Sequence, residues 1–176
     1  MKIALTGSSS VGKTTLSREI AKISDSLEYV TVDARSIIEA FGIKNVDKLS
    51  TKYFKLFQKE WVESKIKNEL IVKNFITDRS FIDPLAYMKE RDIIDNTLKE
   101  KCISYMNNYD IVFYIPFGKI PFKSDGYRSN NIERHKNIDK NIQILLEENK
   151  INYYTIEEIS VEDRLQYMMK IINNYE

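Results

Sequence analysis

The sequence predicts an α/β fold with a five-stranded, mainly parallel sheet and helices on both faces, on three observations. Short apolar runs alternate with longer stretches of helical periodicity along the whole chain. One run, Ile111-Val112-Phe113-Tyr114-Ile115, is apolar without interruption, as a central parallel strand buried on both faces must be. The first run, Ile3-Ala4-Leu5, passes into the glycine-bounded stretch Gly7 to Thr14 and then into a helical pattern with Leu16, Ile20 and Ile23 on one face. Strand, glycine loop and helix form the opening unit of such a sheet.

That loop, Gly7-Ser8-Ser9-Ser10-Val11-Gly12-Lys13-Thr14, fits G-x-x-x-x-G-K-[ST] with both flanks right. Gly7 and Gly12 allow backbone angles and close approaches that a Cβ would block. The main-chain N–H groups from Ser8 to Thr15 can then point at phosphate oxygens, at the positive end of a helix dipole. Lys13 supplies a mobile charge for the outer phosphates, and the Thr14 hydroxyl can ligate Mg²⁺. The expected ligand is a nucleoside triphosphate.

Composition narrows the class. A length of 176 residues, 43% hydrophobic and 30% charged, suits one globular domain spanning 1–176. With 27 Lys+Arg against 26 Asp+Glu, no global field grips nucleic acid. The single Cys102 excludes an internal disulfide and is read as packing on a helix face. No signal peptide or membrane span is legible, so a soluble cytoplasmic protein is expected.

Taken in order, Glu28 to Val32 reads as the second strand, ending at Asp33-Ala34-Arg35-Ser36 before a short helix holding Ile37 and Ile38. A carboxylate and an arginine at a strand's carboxyl end stand where ligands dock in open sheets. The alternative makes Asp33 a helix N-cap and Arg35 a surface charge. Lys44 to Lys52 reads as a mobile loop. Thr51 to Lys73 is the longest helix, and its cluster of Tyr53, Phe54, Phe57 and Trp61 fits either core or a platform for a nucleobase. Ile71 to Thr77 reads as the third strand, with Asp78-Arg79-Ser80 at its end and Asp83-Pro84 as N-cap and first residue of the next helix. Asp78 is the candidate acid for holding the metal through water opposite Thr14. Arg79 suits a phosphate or an acceptor hydroxyl.

The helix from Asp95 to Asn108 carries Leu98, Cys102 and Met106 at helical spacing. After the fourth strand, the irregular stretch 117–136 holds Lys123, an Asp125-Gly126 turn, Arg128 and Arg134, then a helix with Ile138, Ile142 and Leu145 on one face. Arginines late in such a fold suggest a closing lid that neutralises phosphoryl charge; a solvated charge run is the alternative. His135 is read as a bystander. Ile151 to Ile156 is the last strand. Ser160-Val161-Glu162-Asp163 opens the final helix as a capping box, with Val161, Leu165, Met168 and Ile172 as its apolar face.

The stretches Gly7–Thr14, Val32–Arg35, Thr77–Ser80 with Asp83-Pro84-Leu85-Ala86-Tyr87, and Asp125–Arg128 with Arg134 together resemble the small P-loop kinases of nucleosides and nucleotides, and most nearly the ribosylnicotinamide-kinase-like ATPase domains found also among phage kinases. The resemblance runs in order over most of the chain. It implies a P-loop NTPase sandwich with strand order 2-3-1-4-5, ATP and Mg²⁺ as cofactors, and transfer of the γ-phosphoryl group to an acceptor hydroxyl. It also implies Asp33 as the base and Arg79 as an acceptor contact, although members more often carry Glu where Asp33 stands.

Lys13, Asp33, Arg79, Arg128 and Arg134 are therefore the expected catalytic set. Arg35 and Asp78 join Asp33 and Arg79 at the acceptor, and Thr14 with Asp78 locates the metal. The acceptor is a nucleoside-like small molecule. A nucleoside monophosphate is the near alternative, because Arg35 stands beside Asp33. A hydroxymethylated base in DNA is a further alternative, disfavoured by the near-neutral charge. From another class, the alternative is a nucleotide-hydrolysing switch; guanine-binding switches usually carry an Asn-Lys-x-Asp motif after a late strand, where this chain has Ile115-Pro116-Phe117-Gly118-Lys119 instead. The oligomeric state is open, a homodimer included.

Overall fold

The computed structural model describes residues 1–43, 46–122 and 130–175. Its centre is β1 (Lys2–Thr6), paired in parallel with β3 (Phe75–Thr77) on one side and β4 (Ile111–Tyr114) on the other. β2 (Glu28–Val30) adds to β3, and β5 (Tyr154–Thr155) adds to β4. The sheet order among the described residues is 2-3-1-4-5, all parallel. It matches the order implied by the resemblance.

The helices divide between two faces, and the period of two along each strand decides which residues meet them. Ile3 and Leu5 of β1, Ile76 of β3 and Ile111 and Phe113 of β4 pack against α1 (Lys13–Ile23) and α7 (Val161–Tyr175) through Leu16, Ile20, Met168 and Ile172. Val112 and Tyr114 face the opposite way, into a core with α3 (Thr51–Leu70), α4 (Ile82–Glu90), α5 (Asn96–Met106) and α6 (Ile132–Glu148). The short α2 (Ala34–Ala40) joins that second layer through Ile38. Cys102 is fully buried in it, and burial pushes its thiol up to about 12.

Several boundaries differ from the sequence reading. The strand expected over Ile71 to Thr77 pairs only from Phe75, because α3 runs on to Leu70 and leaves Ile71 85% exposed. The second strand stops pairing at Val30 and the last shrinks to Tyr154–Thr155. Ile23 and Val161 lie on exposed faces of their helices rather than on the buried ones. Asp83 does not stand at the N-cap and Pro84 is not the first helical residue, since α4 begins at Ile82. Ser80 and Asp83 instead form a local hydrogen-bonded turn ahead of the helix: Ser80 Oγ accepts from Ile82 N–H (3.1 Å), and Asp83 Oδ2 accepts from Ser80 N–H (2.9 Å). The described part of the Lys44–Lys52 stretch is not a free loop. A 3-10 turn at Val46–Lys48 is tied down by Arg91, which donates to Leu49 O (3.1 Å) and Val46 O (3.2 Å). The capping box at Ser160 and Asp163 forms as expected (3.1 Å).

Candidate active site

β1 delivers the glycine loop to the carboxyl edge of the sheet. Gly7 has φ +151° and lies so close to the neighbouring chain that a Cβ would meet Ile115 O at 2.6 Å. Gly12, at φ +97°, is the residue from which α1 starts. The first-turn amides of α1 therefore face the loop's concavity without a side-chain cap to occupy them. Lys13 is buried, and its ammonium donates to Gly7 O (2.5 Å) and Ser8 O (2.6 Å) across the loop. From behind, the buried Arg164 of α7 braces the loop by donating from Nη1 to Val11 O (2.9 Å) and from Nε to Glu158 O (2.7 Å). The sequence reading assigned no functional role to this helix.

Thr14, one residue into α1, donates its hydroxyl to Asp78 Oδ2 at 2.6 Å. Asp78 accepts two further hydroxyls, from Tyr29 (2.9 Å) and Thr31 (2.9 Å), both delivered by the second strand and its exit. Burial pushes the Asp78 carboxyl up, but the hydrogen bond from Thr14, the Arg79 charge and the two other hydroxyls together hold it below the usual carboxylate range. A carboxyl depressed by folding stabilises the folded state above its unfolded value near 3.8 and loses that contribution as pH falls through the lower folded value. In metal-free buffer Asp78→Asn is accordingly expected to lower Tm at neutral pH, with the gap to the parent protein closing below about pH 3.8; thermal melts at the two pH values check this.

Asp33 is the N-cap of α2 and is exposed. Its Oδ1 accepts from Arg35 N–H (3.0 Å) and Ser36 N–H (3.3 Å), and its Oδ2 accepts from Ser36 Oγ (2.6 Å). The bonds from Ser36 lower its carboxyl below the ordinary value. The capping geometry is thus realised, and cap and cavity position coexist. Arg79 lies over the rings of Trp61 (6.0 Å) and Tyr87 (5.9 Å), and the Tyr87 hydroxyl shares a 2.7 Å hydrogen bond with Ser9 of the loop. Arg134 belongs to the first turn of α6 rather than to an irregular segment, with Nε 3.0 Å from Glu90 Oε2. His135, read from the sequence as a bystander, is buried against Phe117 and Phe122, at ring separations of 5.8 and 4.9 Å, and lines a cavity with Arg79 and Arg134. Lys123, Asp125, Gly126 and Arg128 lie outside the described residues.

Thr14, Asp33, Arg35, Asp78, Arg79 and Arg134 all line one cavity of about 650 Å³, the size of a small-molecule site. Of the aromatic cluster on α3, Phe54 and Trp61 are core, Tyr53 is largely exposed, and Phe57 reaches the cavity wall. Beside it stands Gln58, buried and lining the cavity, which the sequence reading missed. The signal was present: Gln58 and Lys65 are polar residues inside the apolar stripe Phe54, Trp61, Val62. Lys65 is wholly buried beneath the end of β3, donating to Thr77 Oγ1 (2.8 Å) and paired with Glu69 Oε1 at 2.6 Å. Burial drives its ammonium pKa down, against the opposing charge of Glu69.

The site fits Mg²⁺ and a polyphosphate on its own chemistry. The cradle exists only because Gly7 lacks a Cβ, and the Thr14–Asp78 pair offers one hydroxyl and one carboxylate beside it. Among the described residues no cluster of three or more His, Cys, Asp or Glu could hold a metal. That donor set suits a cation that takes most of its ligands from phosphate and water. Nor is any described helix long and apolar enough to cross a membrane.

Sheet order, glycine loop and hydroxyl–carboxylate pair define a phosphate-loop nucleotide-binding domain. The chain belongs to the AAA domain family, whose model matches residues 2–164. A comparison with curated proteins finds no match. Among solved structures, deoxyadenosine kinase from M. mycoides with products dCMP and dCDP bound is similar at 23% identity, TM-score 0.73, over 100% of both chains. NadR protein in complex with NAD and AMP-PNP is similar at 19% identity, TM-score 0.68, over 99% of this chain and 49% of that one. Thymidylate kinase from Candida albicans is similar at 16% identity, TM-score 0.64, over 99% of this chain and 93% of that one. At these identities the likeness establishes a shared fold.

Proposed function

We propose that the protein is an ATP- and Mg²⁺-dependent kinase that moves the γ-phosphoryl group to a nucleoside-like acceptor. One observation carries this reading: the glycine loop and the cavity meet at the Thr14–Asp78 hydrogen bond, so a polyphosphate in the one would abut an acceptor in the other. Likeness to structures named for a deoxyadenosine kinase and a thymidylate kinase supports it. Thr14 and Asp78 would hold the metal, which when bound supplies charge neutralisation between the phosphates. The loop amides and Lys13 grip the polyphosphate, and Gln58 offers a donor and an acceptor to a base edge from the cavity wall. Arg35 and Arg79 hold the acceptor, Asp33 takes its hydroxyl proton, and Arg134, with Arg128 in the segment 117–136, neutralises the moving phosphoryl group and excludes water.

A second reading is favoured by the engagement of Asp33. Both its oxygens already accept hydrogen bonds, and Arg18, Arg35, Arg79 and Arg134 outnumber Asp33 and Asp78 around the cavity. A carboxylate so held is a weak base, whereas a ring of arginines suits an acceptor that is itself a phosphate. Asp33→Asn separates the two cleanly, because Asn caps a helix as well as Asp does. A hydroxyl acceptor predicts a loss of about 100-fold or more in kcat. A monophosphate acceptor predicts a change of less than about threefold, since no base is then needed.

The class itself is tested by ADP release across a panel of nucleosides, deoxynucleosides and their monophosphates. A kinase turns over ATP slowly until one acceptor arrives. A hydrolysing switch gives the same rate with every compound and with none. Incorporation of labelled phosphate into DNA alone would point to the modified-base acceptor.

A further inference from the structure

Asp83 is a buried carboxylate, 1% exposed, that the proposed chemistry does not use. Its two oxygens differ. Oδ2 is saturated, accepting from Thr6 Oγ1 (2.8 Å), Ser80 N–H (2.9 Å) and Ser80 Oγ (3.0 Å). Oδ1 has no hydrogen-bond donor among the described residues and lies 3.9 Å from Lys13 Nζ. A buried ionic oxygen without a donor is costly unless a cation stands by, and Lys13 is that cation. On another side Lys65 of α3 feels the Asp83 charge as well.

The arrangement has a direction. Thr6 lies at the end of the strand that feeds the loop, and Ser80 lies just past the strand that carries Asp78. Asp83 thus ties the two functional strand ends together with one oxygen and aims the other at the lysine between them. Asp139 on α6, which accepts from Tyr114 OH at 2.8 Å, also feels the Lys13 charge. Asp83 comes within ion-pair distance of the Lys13 ammonium, with Oδ1 3.9 Å from Nζ.

We propose that Asp83 is a positioning residue, the internal counter-anion of the nucleotide-free loop, which holds the Lys13 ammonium across the loop until a polyphosphate takes its charge over. The inference rests on the reading that this loop binds a polyphosphate. Preorganisation of this kind removes the cost of ordering a long side chain at the moment of binding and keeps the buried charge neutralised meanwhile. It also makes Asp83 a competitor of the phosphate, so that neutralising it strengthens ground-state binding while leaving Lys13 less well aimed for transfer.

Asp83→Asn can keep the three bonds at one oxygen while removing the charge. Titration calorimetry with ATP·Mg²⁺ is expected to show affinity raised by roughly three- to tenfold, the effect of one partly compensated charge near an anion. In the ADP-release assay kcat should fall by about tenfold through misplacement of Lys13. Unchanged or weakened ATP binding by folded Asp83→Asn overturns the proposal, because a merely structural carboxylate would weaken binding when lost. A ligand-free measurement stands beside it. Thermal melts of Lys13→Met, Asp83→Asn and the double variant should show that Asp83→Asn raises Tm in the Lys13→Met background and lowers it in the parent. Equal shifts in both backgrounds would show that the two charges do not interact, and would overturn the proposal. Failure of the parent protein to bind ATP would instead strike the kinase reading, while the melts still decide on the ion pair.

Discussion

Lys13→Ala is expected to lower phosphoryl transfer by about 100-fold or more, the scale on which a positioned charge at the reacting group acts. The buried ammonium bridges Gly7 O and Ser8 O and lies beside Asp83, so it already occupies the rim that outer phosphates would approach. Alanine removes that charge and leaves the Asp83 carboxylate buried with one cation fewer. A second, independent consequence is therefore a lower Tm without ligand. Initial rates with saturating acceptor, together with a melt of the same preparation, check both. Preserved transfer activity would remove the loop from the mechanism.

Gly7→Ala is expected to abolish measurable ATP binding. The φ of +151° is one that an L-residue adopts only with strain of about 1–3 kcal/mol. The new Cβ would in addition sit 2.6 Å from Ile115 O, a main-chain atom at the end of a fully buried strand. Neither the sheet nor the loop can yield cheaply, so the amides that should converge on phosphate turn away. Titration calorimetry reads the binding loss, and a circular dichroism spectrum matching the parent would show that the sheet survives. Gly7→Ala that bound ATP normally would mean that the loop's conformation is not what holds the ligand.

Much of this site was legible because its chemistry is written in short, contiguous stretches. The glycine spacing ahead of Lys13-Thr14 needs no tertiary information, since strand, loop and helix are consecutive. Ile111 to Ile115 announced a central strand by being apolar on both faces, and it pairs beside β1 as expected. What stayed hidden depends on contacts distant in sequence. Asp83 looked like a helix start because Pro84 follows it, while its actual partners are Thr6, Ser80 and Lys13 on other elements. Arg164 reaches Val11 across 153 positions of chain, which no local pattern encodes. Gln58 is a polar break in the apolar stripe of α3, but its aromatic neighbours Phe54, Phe57 and Trp61 dominate the local pattern. The third strand was read too long because Ile71 and Val72 look like strand residues, whereas the helix before them continues to Leu70.

The claim on which the account depends is that main-chain amides at the head of α1 hold a polyphosphate with Lys13, while Thr14 and Asp78 place the metal beside the cavity. A crystal structure with a non-hydrolysable ATP analogue and Mg²⁺ tests it most directly. The triphosphate is expected inside the loop from Gly7 to Thr14, with Lys13 Nζ drawn from Gly7 O and Ser8 O onto the outer phosphates and a metal held by Thr14 and, through water, by Asp78. An analogue bound elsewhere, with Lys13 still bridging the loop carbonyls, would contradict it.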